Sequence, residues 1–474
     1  MRNVLAACLG FLVVACVTVT SYDDPFLWLE DVHGAKALKW VEAENGRSAD
    51  RLEHDARFAA FKREALAVFT AKDRIAMPEF RAGGVDTLWQ DDSHPHGVWQ
   101  HASLASYRRG KPAWDVVLDL DALSKSEGKN WFSKGATCLP PEDRLCLVEL
   151  SDGGGDAIEI REFDAETKTF VDGGFRFDRA KQDVEWIDRD TVIIARPTSS
   201  DDTTESGYAS TLRVLSRGQG WAQAEVVFRG ERKDTSVTPR VLRDADGKLQ
   251  ATIAVRRVGF FQAEYNLIDG GKTAKLPLPL RASLRGYVDG AMVFTLQEPW
   301  ERFETGALIA IDLAAAKRDP AKTADAAQLI MQPSASQTID GVSVTRDRVV
   351  VQLLDNVKGA VEVYGRAGKA WSGRRLKLPK DSFLVVRAAQ KSGSLVFATS
   401  EGFLAPTKLW WADATVGRVG AVTSLPGRFK ASTHVVEQNW ATSRDGTKIP
   451  YFLVRPKKMK KDGSTPTLMY GYGG

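Results

Sequence analysis

Two textures of apolar and polar positions divide the chain. From Asp31 to about Thr70 the spacing is helical: Phe58, Phe61, Ala65, Val68 and Phe69 share one face of a 3.6-residue period, while Lys62, Arg63 and Glu64 fall elsewhere. This predicts a helical arm, interrupted near Gly46. After about Met77 short runs of β-branched and aromatic residues follow one another. They lie at Ala157 to Phe163, Thr191 to Ala195, Leu212 to Leu215, Val226 to Phe228, Ala251 to Val255 and Met292 to Leu296. Further runs come at Leu308 to Ile311, Val349 to Leu354, Val361 to Tyr364, Leu395 to Ala398 and Leu409 to Trp411. Turns such as Asp246-Gly247, Asp289-Gly290 and Ser392-Gly393 punctuate them, and only an Ala-rich patch near Ala314 to Ala327 reads as helical.

Several hundred residues of short, evenly spaced strands are too many for one sandwich and predict radial repetition. At roughly 50 residues per four-stranded blade, residues 79–434 hold about seven blades of a β-propeller. The texture changes again at the end. Asn439 to Val454 reads as a hairpin about the turn Arg444-Asp445-Gly446, followed by a loop with Lys457, Lys458, Lys460 and Lys461 and an apolar strand from Leu468 to Tyr472. These look like the opening strands of another domain.

At the start, Arg2 precedes an apolar stretch from Val4 to Val19 that ends in small and polar residues. A basic residue, a short apolar core and small residues after it make a secretory signal over residues 1–21, too short for a membrane span of about 20 apolar residues. Val13-Val14-Ala15-Cys16 also resembles a bacterial lipobox, which would put a lipid anchor on Cys16. Both readings predict export, to a bacterial periplasm. Cys8 and Cys16 lie in the leader, which leaves Cys138 and Cys146 either joined across the turn Leu139-Pro140-Pro141-Glu142-Asp143 or as free thiols in neighbouring strands. No second Cys or His pair has zinc spacing.

Composition narrows the function classes. The 474 residues carry 65 Lys+Arg against 61 Asp+Glu, a net charge of +4, so no broad single-sign field predicts nucleic-acid binding. With 43% hydrophobic residues, wholesale disorder is not expected. No Gly-x-Ser-x-Gly motif occurs, and the histidines are His33, His54, His94, His96, His101 and His434. His94, His96 and His101 are the one group with any look of a metal cluster; a polar loop between strands is the better reading, and no metal or cofactor is expected. Gly153-Gly154-Gly155 reads as a tight turn. Asp119, Asp121, Asp201 and Asp202 read as solvated turn residues, and Lys457 to Lys461 as a solvated loop. Tyr472, flanked by glycines, is either an oxyanion donor or an aromatic residue closing a core.

Several ordered stretches resemble the prolyl oligopeptidase family of serine peptidases. They are Asp24-Pro25-Phe26-Leu27-Trp28-Leu29-Glu30-Asp31, Trp89-Gln90-Asp91, Gly97-Val98-Trp99, and Trp114 through Asp119-Leu120-Asp121. Later ones are Leu150-Ser151-Asp152-Gly153-Gly154-Gly155-Asp156-Ala157, Thr399-Ser400 through Thr407, Thr442 to Phe452, and Tyr470-Gly471-Tyr472-Gly473-Gly474. The resemblance implies a mostly β chain: residues 22–78 as a helical arm of an α/β-hydrolase domain, 79–434 as a seven-bladed propeller, and 435–474 as the truncated start of the hydrolase domain. It implies short peptide substrates, cleavage by a Ser-Asp-His triad, and Tyr472 as an oxyanion-hole donor. The triad itself belongs to sequence beyond Gly474. The chain is therefore expected to be an inactive fragment of an oligopeptidase or, alternatively, a peptide-binding propeller that pairs with a separately encoded hydrolase half.

Overall fold

The computed structural model describes residues 24–368 and 370–471. The expected leader, with Cys8 and Cys16, lies outside the described residues. Residues up to Ala71 make one compact unit and those from Lys72 another.

In the first unit a short 3-10 turn, Leu27–Glu30, precedes helices α1 (Ala35–Leu52) and α2 (Phe58–Phe69). Trp28 meets Trp40 edge-on at 6.3 Å, and the Lys36 ammonium stands 4.2 Å above the Trp28 ring. The interruption expected near Gly46 is not there, because α1 runs through it. A mid-helix glycine costs about 1 kcal/mol, which seventeen other helical residues absorb. The break falls instead at residues 53–57, where the Asp55 carboxylate accepts the Arg57 backbone N–H at 2.9 Å and its guanidinium at 2.8 and 2.9 Å. Such a local bond competes with helix continuation. The apolar stripe of α2 is largely bare, with Phe61, Leu66, Val68 and Phe69 exposed.

Seven antiparallel sheets of the second unit, each from consecutive strands, make a seven-bladed β-propeller. Blades 1 to 7 span residues 79–119, 131–180, 183–229, 236–275, 282–331, 337–375 and 383–424. Blade 2 carries a fifth strand, Arg176–Ala180, beside its third, Ile158–Asp164. Two short helices not expected from the sequence, α3 (Leu104–Arg108) and α4 (Leu120–Glu127), decorate blade 1. Ser103 and Asp119 cap their N-termini, and Gly128 ends α4 in the left-handed region at φ 65°. The Ala-rich patch is helical only over α5 (Leu313–Arg318) and the 3-10 turn Pro320–Lys322.

One apolar cluster fills each junction between neighbouring blades. The junction of blades 4 and 5 is the most extensive, centred on Met292, Phe294, Ile309 and Ile311. The junction of blades 7 and 1 is the smallest, with Val85, Tyr107, Phe397 and Leu409 as its buried members. Among the described residues no strand of blade 1 pairs with a strand of blade 7, so side chains close the ring. Phe397 stacks on Phe80 at 5.2 Å and takes the edge of Tyr107 at 5.2 Å, while the Arg108 guanidinium lies 3.9 Å from the Trp411 ring centre.

After blade 7 comes the expected hairpin, longer than its apolar core suggests, with His434–Thr442 against Lys448–Pro456. Gly446, at φ 89°, makes its turn possible. The strand expected from Leu468 to Tyr472 does not form: residues 468–471 are unpaired coil, with Leu468, Met469 and Tyr470 at 93%, 92% and 84% exposure. A strand needs a hydrogen-bonding neighbour, and no described strand lies alongside.

Candidate functional site

The innermost strands of all seven blades and the turns that follow them enclose a chamber of about 1320 Å³ on the propeller axis. In blades 2, 3, 5, 6 and 7 the register between first and second strand slips by one residue on the inner strand. A bulge leaves one residue without a cross-strand partner and bends the strand. The extra residues include Lys134, Arg285, Asp340 and Arg387, all exposed, so the inner strands put charge where the second strands put core.

Where blades 2 and 3 meet, Glu185 lines the chamber with two further carboxylates close by. Glu149, Asp183 and Glu185 gather there, with the Arg240 guanidinium 3.5 Å from Asp183 and 3.9 Å from Glu185. Burial pushes the Glu149 carboxyl up to about 7, and the negative charges of Asp183 and Glu185 push the same way. Burial likewise raises Glu185 to about 7 against the pull of Arg240. In blade 1 the buried Asp86 accepts from Trp99 Nε1 at 2.7 Å, from His101 Nδ1 at 2.5 Å and from Arg81, whose other end donates to the Asp143 carbonyl at 3.1 Å.

One mouth of the chamber is crossed by its own turns. Arg346 of blade 6 pairs with Asp246 of blade 4 at 2.9 Å, and the Arg346 N–H donates to the Gly393 carbonyl of blade 7 at 2.9 Å. Gly247 of blade 4 lies so near the Pro140-Pro141 turn of blade 2 that a Cβ there would fall 2.9 Å from the Pro141 nitrogen. The Ala82 N–H of blade 1 reaches Asp143 Oδ2 at 3.1 Å. Cys138 and Cys146 stand opposite each other at the base of that blade 2 turn, Cα atoms 3.9 Å apart and sulfurs 1.98 Å apart, a bonded pair.

The loops joining second to third strands lie on the opposite face. The blade 7 loop sets Phe403 5.4 Å from Phe452 of the hairpin, and the blade 6 turn offers the Asn356 carbonyl to Gln438 Nε2 at 2.8 Å. The hairpin leaves Trp440, Ile449, Tyr451 and Val454 exposed.

The remaining residues singled out in the sequence take separate places. His94, His96 and His101 do not converge: His94 Nδ1 meets Asp91 at 3.1 Å, His96 Nδ1 meets Asp121 at 2.6 Å, and His101 belongs to Asp86. Three of the supposed solvated aspartates are structural, Asp119 as the cap of α4. Asp202, 3% exposed, accepts from the backbone of Thr198 and Ser199, and Asp121 holds His96. Gly153 and Gly154 form the turn between two blade 2 strands at φ 81° and 79°, and Lys457 to Lys461 lie in the loop after the hairpin. Tyr472 lies outside the described residues. The chamber charges went unnoticed in the sequence because bulged polar strands carry no alternation to find.

Set against known proteins, residues 16–424 match the model of the prolyl oligopeptidase N-terminal β-propeller domain. The chain belongs to the prolyl oligopeptidase family. It is 41% identical over 461 residues to an uncharacterized peptidase of Sinorhizobium fredii, covering 95% of this chain and 63% of that protein. It is 23% identical over 477 residues to the prolyl endopeptidase of Elizabethkingia miricola, covering 95% and 61%. Among solved structures, a post-proline cleaving enzyme from Rickettsia typhi superposes with a TM-score of 0.84 at 25% identity, over 92% of this chain and 66% of that one. The chain thus spans a little under two thirds of the length of these prolyl oligopeptidase-family relatives.

Proposed function

We propose that this chain is the propeller portion of a serine-type oligopeptidase of the prolyl endopeptidase kind, which holds short unfolded peptides for a hydrolase domain that includes the helical arm and the hairpin. The observation that supports this most directly is the chamber. Its volume of about 1320 Å³ exceeds the roughly 300–1,000 Å³ of ordinary small-molecule pockets, yet it is far too small for a folded domain.

By itself the chain binds without cleaving. A serine peptidase needs a serine on the far nitrogen of a histidine that an aspartate orients. His96 with Asp121 has the second half of that arrangement, but its Nε2 faces Asn130 Oδ1 at 2.6 Å. Export through residues 1–21 fits a bonded Cys138–Cys146 pair, which persists in an oxidising compartment.

The test is to mix the purified chain with a proline-containing pentapeptide labelled at its N-terminus. Saturable binding with no cleavage products by mass spectrometry is expected. Cleavage by the chain alone, or no saturable binding, overturns the reading.

A further inference from the structure

Two guanidinium groups in the chamber have no assigned work. Arg285, on the inner strand of blade 5, and Arg387, on that of blade 7, are the extra residues of matching bulges. In blade 5 the partners step from Leu284↔Phe294 to Gly286↔Val293; in blade 7 they step from Val386↔Ala398 to Ala388↔Phe397. Each is anchored in the same way, by Nε donating to a threonine of the second strand: Arg285 to Thr295 Oγ1 at 2.8 Å and Arg387 to Thr399 Oγ1 at 2.9 Å. Among the described residues no carboxylate ion-pairs with either, and their terminal nitrogens make no hydrogen bond to protein. Both side chains are exposed, and both line the chamber.

This differs from the ion-paired arginines of the propeller. Arg81, Arg161, Arg217, Arg256 and Arg375 all end on carboxylates. A guanidinium held through Nε presents a flat edge of N–H donors already oriented, so little rotamer freedom remains to be lost when an anion arrives. Lys391, four residues beyond Arg387 on the same blade, also lines the chamber and makes no ion pair among the described residues. Carboxylates line the chamber too, Glu185 at blade 3, Asp244 and Asp246 at blade 4, Asp289 in the turn after the Arg285 strand and Asp347 at blade 6, and among the described residues none of them ion-pairs with Arg285 or Arg387.

We infer that Arg285 and Arg387 form an anion-binding wall that takes the carboxylate of a peptide held in the chamber. Two sources share that chemistry, the free C-terminal carboxylate and an acidic side chain. The inference rests on the proposed role of the chamber in holding peptides and adds a preference for peptides that carry a negative charge.

The test measures binding of N-terminally labelled proline-containing pentapeptides to the full chain by fluorescence anisotropy. Three forms are compared: the free acid, the C-terminal amide, and an amide with one internal Glu. The free acid is expected to bind about tenfold more tightly than the plain amide, and the double variant Arg285→Gln/Arg387→Gln to bring the acid down to the amide's affinity while leaving the amide unchanged. Arg387→Lys, which keeps the charge without the fork, should retain part of the preference. Recovery of tight binding by the Glu-containing amide assigns the wall to any carboxylate, and no recovery assigns it to the C-terminus. Equal binding of acid and amide overturns the inference while leaving the chamber reading intact. A double variant that weakens acid and amide alike also overturns it. An unchanged thermal melt of the double variant confirms that the wall, and not the fold, was altered.

Discussion

Arg346 reaches past blade 5 to pair with Asp246, one hundred residues earlier in the chain, at 2.9 Å across the mouth of the chamber. Both side chains are half exposed or more, so the pair contributes only about 0–1 kcal/mol to stability. Its effect is local. Arg346→Gln should leave the urea unfolding free energy within about 0.5 kcal/mol of the parent. It should also speed hydrogen exchange at Gly247, whose N–H bonds to the Asp244 carbonyl. Unchanged exchange at that amide would show that the turns cross the mouth without help from the ion pair.

Phe397 tests the seam that closes the ring. It is fully buried and touches Phe80 and Tyr107 of blade 1, where no described strand pairing shares the work. Phe397→Ala should cost about 3–5 kcal/mol in chemical denaturation. A loss under about 1 kcal/mol would mean that the junction collapses to fill the space, and that the seam is looser than its ring contacts indicate.

Glu149 makes stability depend on pH in a stated direction. Its carboxyl is raised from the ordinary 4.5 to about 7, first by burial and then by Asp183 and Glu185, with Arg240 the nearest cation to those two neighbours. Between these values the folded chain keeps a proton that the unfolded chain has released. Stability from this group therefore falls as pH rises from 4.5 through 7. Glu149→Gln removes the fall: a gain on the order of 1–3 kcal/mol is expected at pH 8 and almost none at pH 4. Urea titrations at the two pH values check it, and a loss of stability at pH 8 contradicts it.

His96 titrates with the opposite sign. Hydrogen bonds to Asp121 and then Asn130 raise its imidazole above the ordinary 6.5, so the protonated ring is favoured in the folded chain. The stabilisation is complete below that ordinary value and is lost as pH climbs through the raised one. Its side chain is 23% exposed, and the effect should stay below about 1 kcal/mol. His96→Gln should flatten the stability profile above pH 6.5, and a titration of the His96 ring by NMR should show the upward shift directly. A ring that titrates below its ordinary value would overturn the assignment.

The propeller was legible because its second and third strands are. Runs such as Thr191 to Ala195 and Met292 to Leu296 are sandwiched between neighbouring blades and are apolar on both faces. Every run found in the sequence lies on a second, third or fourth strand, and none on a first. The first strands face the chamber, mix charge with bulges, and so show neither alternation nor an unbroken apolar run. The part of the chain that bears on function was thus the part hidden from pattern. The Leu468 to Tyr472 stretch failed in the opposite way: its composition favours a strand, but a strand exists only beside another.

The seam between blades 7 and 1 also fixes how the ring responds to temperature. A propeller closed by a shared strand is held by hydrogen bonds, whereas this one is held by the burial of Val85, Tyr107, Phe397 and Leu409. Apolar burial weakens on cooling. The apolar contribution to closing the ring therefore shrinks in the cold, and this junction, the smallest of the seven, has the least of it in reserve.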